Sequence, residues 1–322
     1  MATIPWTLLT LLADGECHSG EALGLKLGVS RAAIWKMIQQ LQAQAVGVES
    51  IRGQGYCIRG GIDLLDHSSI LAGLTSVAQA RLGVLEVEAQ IPSTNSALLG
   101  GAYGNGAVML AEQQTAGRGR RGRAWVSPLG ANMYCSMRWH FSAGITCLEG
   151  LSLAVGVALV DALRELGVVD VMLKWPNDLW LKGKKLGGVL VEVGGDAHGE
   201  CYAVVGVGLN IAMPKNAALA IDQAWIDLAS EGYFLSRNRV AAAIINHLLA
   251  LLSDYQTKGF SAYRERWLAA NALADTWVAV TGAEQKTGRV IGLNDTGALL
   301  LQSDGGVEVI SGGEVSVRAC DH

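Results

Sequence analysis

The sequence predicts an α+β multidomain chain: an N-terminal winged helix-turn-helix over residues 1–66, a central mixed-sheet α/β domain over 67–272, and a small SH3-like β-barrel over 273–322. Three observations lead there. Short runs with helical periodicity, separated by glycine turns, fill the first sixty residues. From Leu85 to about Ala270 strand and helix patterns alternate, but strands outnumber helices and lie in adjacent runs, which favours mixed pairing over a doubly wound sheet. The last fifty residues hold five short apolar runs divided by Gly, Asn and Asp turns, the pattern of a small barrel.

Composition bounds the reading. A length of 322 residues fits two or three domains. With 50% hydrophobic and 17% charged residues, a largely disordered chain is excluded. The 25 basic and 29 acidic side chains give −4, so any contact with nucleic acid must come from a local patch. The 41 glycines, with five prolines and no Gly-X-Y period, exclude collagen and mark turns and close backbone approaches. Met1 to Thr10 carries no charge and breaks at Pro5, unlike a secretory leader, so a cytoplasmic location is expected. The apolar stretch Leu151 to Val160 falls short of the roughly 20 residues a bilayer crossing needs, and no membrane partner is expected. Six dispersed cysteines lack zinc spacing and read as reduced core thiols, with no protein metal site.

The N-terminal elements follow in order. Trp6 to Ala13 is an apolar helical run closed by Asp14-Gly15, and Ser19 can cap a second helix to Leu27. Gly28 permits a tight turn, and Ser30 can cap a third helix with Ile34, Ile38, Leu41 and Ala45 on one stripe. The opposite face offers Arg31, Trp35, Lys36, Gln39 and Gln42, side chains able to meet phosphates and base edges. Val48 to Ile51 and Tyr56 to Ile58 form two strands around Arg52-Gly53-Gln54-Gly55, the outline of a wing. A small docking domain with a solvated face has the same outline.

Ile62 to Arg81 reads as a connecting helix starting near Asp66. In the central domain, strands are expected over 85–89, 107–112, 133–139, 171–174, 185–193 and 203–210. Helices are expected over 94–99, 146–166, 222–231 and 237–258. The C-terminal strands are expected over 277–281, 286–293, 298–303, 307–311 and 314–317.

Four segments carry chemistry. Gly117-Arg118-Gly119-Arg120-Arg121-Gly122-Arg123 matches the dinucleotide fingerprint in letters, but that motif needs a helix directly after it, and Ala124-Trp125-Val126-Ser127-Pro128 is not helical. What remains is an arginine loop suited to a polyanion, expected to order around it; a solvated loop or a nucleic-acid contact is the rival. Lys174-Trp175-Pro176-Asn177-Asp178 follows an apolar strand and can meet phosphate oxygens, magnesium or an incoming amine. Lys182-Gly183-Lys184-Lys185-Leu186-Gly187-Gly188 is either a basic hairpin turn in water or a lysine set to stabilise charge on a phosphate or carboxylate. Ser93-Thr94-Asn95 can cap a helix or, with Gln114, hold a small polar ligand head.

Ser93-Thr94-Asn95, Glu112 to Arg120, Lys174 to Asp178, Lys185 to Leu190 and Gly206-Val207-Gly208-Leu209-Asn210 occur in the order and spacing of biotin protein ligases. With the winged helix and the small barrel, the whole chain resembles the bifunctional bacterial form of that family, which also represses the biotin operon. The resemblance implies two steps: biotin attacks the α-phosphate of magnesium-bound ATP to give biotinyl-5′-adenylate, and a carrier lysine then displaces AMP. Ser93, Thr94, Asn95, Gln114, Arg118, Gly119, Arg120 and Lys185 match the biotin contacts. Arg121, Trp125, Lys174, Asn177, Asn210 and Trp225 match the nucleotide surroundings. Lys185, Asp178 and Arg120 are the catalytic candidates, with Asp178 orienting and deprotonating the acceptor lysine.

The resemblance also implies the partners: the biotin carboxyl carrier protein of acetyl-CoA carboxylase, operator DNA of the biotin synthesis genes, and a second copy when adenylate is bound. Ser30, Arg31, Trp35, Lys36, Gln39, Arg52 and Gln54 are the DNA-contact candidates, although Trp35 stands where a smaller polar residue would read bases more directly. The alternatives are a biotin-sensing regulator without ligase activity, a ligase that no longer binds DNA, and a lipoate-type acyl ligase.

Overall fold

The computed structural model describes residues 5–196, 199–282, 285–312 and 316–320. Three helices open the chain: α1 (Trp6–Leu12), α2 (Gly20–Leu27) and α3 (Arg31–Ala43). The Ser19 hydroxyl accepts from the Ala22 amide at 3.0 Å and Ser30 from Ala33 at 3.2 Å, so both expected caps form. Gly28 closes α2 with φ +67°. Leu8, Leu12, Leu23, Ile34, Ile38 and Leu41 are buried together in one core. The third helix stops at Ala43, short of the expected stripe, and Ala45 takes φ +64° in the turn that follows. The wing is the antiparallel hairpin of β1 (Val48–Ile51) and β2 (Gly55–Ile58).

The expected connecting helix is two helices, α4 (His67–Ala72) and α5 (Ser76–Arg81). They are capped separately by Asp66 and Thr75. The break has a packing reason: a Cβ on Gly73 would sit 2.7 Å from that of Ala242, so the turn presses on a core helix.

The central domain continues as β3 (Leu85–Glu88), α6 (Thr94–Gly100), β4 (Ala107–Ala111), β5 (Met133–Phe141), α7 (Leu151–Glu165), β6 (Met172–Lys174), β7 (Asp178–Leu181), β8 (Lys184–Gly195) and β9 (Cys201–Leu209). Three helices complete it: α8 (Lys215–Ala218), α9 (Arg237–Lys258) and α10 (Ser261–Ala269). The seven strands order as β3-β4-β5-β9-β8-β7-β6, and only β3 and β4 run parallel. Alternate residues of β4 part between the two faces: Val108 and Leu110 join α7 and α9, while Ala107 and Met109 pack with Leu98 of α6.

Residues 145–165 are long and apolar enough, by length and composition alone, to cross a bilayer, well beyond the ten-residue stretch visible in the sequence. They form a core element instead, with α7 buried along most of its length and packed against α9.

Other expectations need correction. The helix expected over 222–231 is absent; Trp225 bridges to Lys185 in extended form, and only a 3-10 turn spans Ala229–Glu231. Asp227 explains the departure, because its carboxylate accepts from the Met213 and Ser230 amides at 2.9 and 2.7 Å and so fixes a turn. Strand β7 and helices α8 and α10 were unread. Of the six cysteines, Cys57, Cys135 and Cys201 are buried as expected, but Cys17 is exposed.

The C-terminal domain is one antiparallel sheet of β10 (Trp277–Thr281), β11 (Gln285–Leu293), β12 (Leu299–Ser303), β13 (Gly306–Ile310) and β14 (Ser316–Ala319), ordered β13-β12-β11-β10-β14. The expected last strand, 314–317, falls partly outside the described residues, since β14 is described from Ser316. Val278, Val290, Leu301 and Val317 share one continuous core with α7 and α10. The indole of Trp175 donates to the Gly297 carbonyl at 3.0 Å across the same junction.

The winged helix is also tied to the central domain. Glu112 and Arg237, both buried, form an ion pair at 2.6 Å. Arg237 further donates to the carbonyls of Asn132 and Asp63, each at 2.9 Å, and Glu112 accepts from the Leu65 amide. Leu129, on the segment joining β4 to β5, is buried in the winged-helix core.

Candidate active site

A cavity of about 700 Å³ opens on the α6 face of the central sheet. Every residue that the sequence assigned to biotin, nucleotide or catalysis lines it: Ser93, Thr94, Asn95, Gln114, Arg118, Gly119, Arg120, Arg121, Trp125, Lys174, Asn177, Asp178, Lys185, Asn210 and Trp225.

The polar end is built where α6 begins. Ser93 caps that helix, which places Thr94 and Asn95 in its buried first turn. Gln114 Oε1 accepts from the Thr94 amide at 2.9 Å and lies 3.1 Å from the Thr94 hydroxyl. Ser136 Oγ sits 2.7 Å from Thr94 Oγ1 and bonds Asn95 Oδ1. The network ends at Glu192, whose carboxylate receives Asn95 Nδ2 at 2.8 Å and Arg118 Nη2 at 3.1 Å. Its buried members, Thr94, Asn95 and Ser136, hold one another's rotamers. Ser136 and Glu192 were missed by sequence reasoning; a lone acid inside the apolar run of β8 was the available signal for Glu192.

Two glycines set the cavity's shape. A Cβ on Gly206 would fall 2.2 Å from Asn95 Oδ1, and one on Gly208 would fall 2.5 Å from the Trp125 ring. Gly206→Ala should therefore displace Asn95 and weaken biotin binding at least tenfold with the fold retained, measured by isothermal titration calorimetry alongside circular dichroism. Wild-type affinity in the folded variant would show that Asn95 does not shape this pocket.

The cationic end is partly buried. Lys185 Nζ lies 2.9 Å from Asp178 Oδ1, with less than a fifth of either side chain exposed. Lys174 Nζ stands 4.5 Å from the centre of the Trp180 ring, and Arg120 donates to Asn177 Oδ1 at 3.3 Å. Asn177 is held in turn by donating to the Val189 carbonyl at 2.8 Å.

Burial lowers the pKa of Lys174 below the usual lysine range, with Lys185 and Arg318 adding to the shift and Asp178 opposing it. Burial likewise lowers Arg120. A lysine so lowered loses its charge before a solvated lysine does. Affinity for ATP should thus begin to fall on the alkaline side earlier than ordinary lysine titration, and Lys174→Arg should flatten that fall; binding titrations across pH read both curves. Arg318 of β14 reaches the same cavity, a contribution the sequence reading did not foresee.

Among the described residues, three buried polar atoms in the cavity wall have no protein partner: Trp125 Nε1, Trp180 Nε1 and Asn210 Oδ1. Unpaired groups of this sort are rare, and in a cavity wall they are open to a polar ligand or to water. Trp125 itself is held by its amide, which donates to the Gly117 carbonyl at 2.9 Å.

The arginine loop folds back on itself. Arg118 bridges to Ala124, the Gly119 amide donates to the Arg123 carbonyl at 2.7 Å, and Arg121 takes φ +58°. A 3-10 turn over Arg120–Gly122 replaces the long helix that a dinucleotide fingerprint requires. Among the described residues no cluster of three or more acidic, His or Cys side chains could hold a metal; the acids of the cavity wall are Asp178 and Asp222.

On the winged helix, Arg31, Trp35, Lys36, Gln39, Arg52 and Gln54 are all exposed, and Trp35 is 55% exposed. Ser30 is committed to capping α3. Gln42 donates to the Val48 carbonyl at 2.8 Å and so braces the hairpin.

This fold and cavity define the class: the Biotin/lipoate A/B protein ligase family matches residues 87–210, an HTH domain matches 7–57, and the Biotin protein ligase C terminal domain matches 278–318. Within it, the chain belongs to the biotin protein ligase family in its bifunctional ligase/repressor form. It is 43% identical over 322 residues to the Bifunctional ligase/repressor BirA of Salmonella typhimurium, covering 99% of each chain. The counterpart in Escherichia coli is 41% identical, with 99% of this chain and 98% of that one covered. Among solved structures, the biotin protein ligase from Aquifex aeolicus in complex with biotin and ATP superposes with a TM-score of 0.65 at 27% identity. The match covers 73% of this chain and 99% of that chain.

Proposed function

We propose that the chain is an ATP-dependent biotin protein ligase that makes biotinyl-5′-adenylate and transfers biotin to a lysine of the biotin carboxyl carrier protein, and that it represses biotin synthesis genes through its winged helix. The observation that carries this reading is a single cavity pairing a buried amide and hydroxyl network at one end with Lys174, Lys185 and Arg120 at the other.

Biotin's polar ring fits among Ser93, Thr94, Asn95 and Gln114, and its carboxylate points toward Lys185 and Arg120. There negative charge gathers on the α-phosphate, and fixed cations in a partly buried site stabilise it more than water could. Trp125, Asn177, Asn210 and Trp225 frame the nucleotide, with Arg121 at the loop. Magnesium, when bound, neutralises phosphate charge; with Asp178 and Asp222 as the acids of the wall, it fits as an ion held chiefly by phosphate oxygens and water. In the second step Asp178 receives the proton that the acceptor ammonium must lose before its nitrogen attacks the acyl carbon.

The domain boundaries at 66/67 and 272/273, dimerisation with adenylate bound and a cytoplasmic location belong to the same reading. Incubation with ATP, magnesium and biotin or lipoate, followed by apo carrier protein, tests the enzyme half by mass: a shift with biotin is expected, and none with biotin overturns it. A gel shift on the upstream region of the biotin synthesis genes, with and without adenylate, tests the repressor half. Adenylate-dependent retardation that weakens steeply with salt is expected.

Arg120→Gly removes the side chain that reaches Asn177 across the cavity. The variant should release adenylate at least tenfold faster and label bystander lysines, read by adenylate dissociation and by biotin blotting of an inert protein. An unchanged dissociation rate would take Arg120 out of adenylate retention.

A further inference from the structure

The turn before α2 runs beside the wing. His18 and Tyr56 exchange both backbone hydrogen bonds at 2.9 Å in an antiparallel bridge. Continued one residue further, the register of this isolated bridge places Cys17 opposite Cys57, in the neighbouring pair without backbone bonds. At such pairs the Cα atoms stand about 4.5 Å apart, within the span of a relaxed disulfide. The approach is close on the other side too, where a Cβ on Gly55 would fall 2.0 Å from the His18 carbonyl oxygen. The two thiols lie close enough that Cys17 is the largest influence on the ionisation of Cys57. Cys17 is exposed and Cys57 is buried, so a reagent from solvent meets Cys17 first. Neither residue lines the cavity, and nothing in ligation or DNA contact uses them.

We propose that Cys17 and Cys57 form a reversible dithiol–disulfide site that staples the root of the wing to the helix-turn-helix. The oxidant is a low-molecular-weight disulfide. Cys17 thiolate attacks one of its sulfurs, the S–S bond breaks, and one thiol leaves with a proton. Cys57 thiolate then attacks the Cys17 sulfur and displaces the second thiol. The protein dithiol is oxidised by two electrons and the small disulfide is reduced to two thiols.

The neighbouring Cys17 thiol, together with burial, holds the Cys57 thiol above the usual range, which favours its protonated form. The bridge closes a loop of roughly forty residues that contains α2, α3 and β1, which restricts the unfolded winged helix far more than the folded one.

The test equilibrates the full chain with reduced and oxidised glutathione at stepped ratios, followed by peptide mapping without reduction and by thermal unfolding. The mapping also separates this pair from Cys147 and Cys201, another two thiols that influence each other's ionisation. A 17–57 cross-link is expected, with the winged-helix transition raised by about 10 °C. Cys57→Ser should leave glutathione trapped on Cys17, and Cys57→Ala should do the same if the serine variant folds poorly. Glutathione trapped on Cys17 in the unmutated chain, with Cys57 still free, overturns the site. A cross-link that leaves the transition unchanged or lowers it overturns the staple.

Discussion

Asp178→Asn should slow transfer from preformed adenylate to the carrier by about two to four orders of magnitude while biotin affinity stays within about twofold. The amide keeps the shape of the carboxylate and can still accept a hydrogen bond, but it cannot take the proton of the incoming ammonium at neutral pH. Asp178 opens β7 directly after the Asn177 turn, and its Oδ1 lies 2.9 Å from Lys185 Nζ. It therefore lines the cavity beside Lys185, within reach of a group bound there. The same substitution leaves Lys185 without its counter-charge, so adenylate formation changes as well. Single-turnover transfer from enzyme loaded with adenylate isolates the second step from the first. A variant that transfers at the normal rate in that experiment would remove Asp178 from proton acceptance.

Arg237→Ala should lower the stability of the chain by about 3–5 kcal/mol, the range found when one partner of a buried ion pair is removed. Glu112 has no exposed surface and would be left as a buried carboxylate facing the Leu65 amide alone. The Asn132 and Asp63 carbonyls would lose their donor at the same time. Urea unfolding followed by tryptophan fluorescence measures the loss, and Arg237→Met combined with Glu112→Gln should recover much of it by removing the stranded charge. A loss under 1 kcal/mol in the single variant would mean that water or a neighbour replaces the guanidinium.

Most of the cavity was legible because its residues announce themselves locally. Four arginines among glycines, a Lys-Trp-Pro-Asn-Asp turn and a lysine before paired glycines are dense in charge or conformational freedom, and the last two sit at strand ends. The winged helix was legible for a similar reason, since Ser19, Ser30 and Gly28 act within one turn of their own positions. What stayed hidden depends on contacts far along the chain. Glu192 gains its role from Asn95 and Arg118, which lie 97 and 74 residues away in sequence. Arg318 joins the site because the C-terminal sheet shares the central core, which no local pattern states. The segment over 222–231 was misread because its apolar spacing suits a helix, whereas Asp227 and the bridge between Trp225 and Lys185 hold it open. Strand β7 was missed because Asp178, Leu179, Trp180 and Leu181 make only four residues between two turns.

Leu129 bears on how such proteins can be rebuilt. It is carried by the stretch of chain that supplies Gln114, the arginine loop and Trp125 to the ligand cavity, yet its side chain completes the hydrophobic interior of the DNA-reading head. The unit that is exchangeable by recombination is consequently not a simple N-terminal prefix. A chimera that grafts another head onto this enzyme inherits a foreign seat for residue 129, and compatibility between donor and recipient has to be matched at that position as well as at the splice.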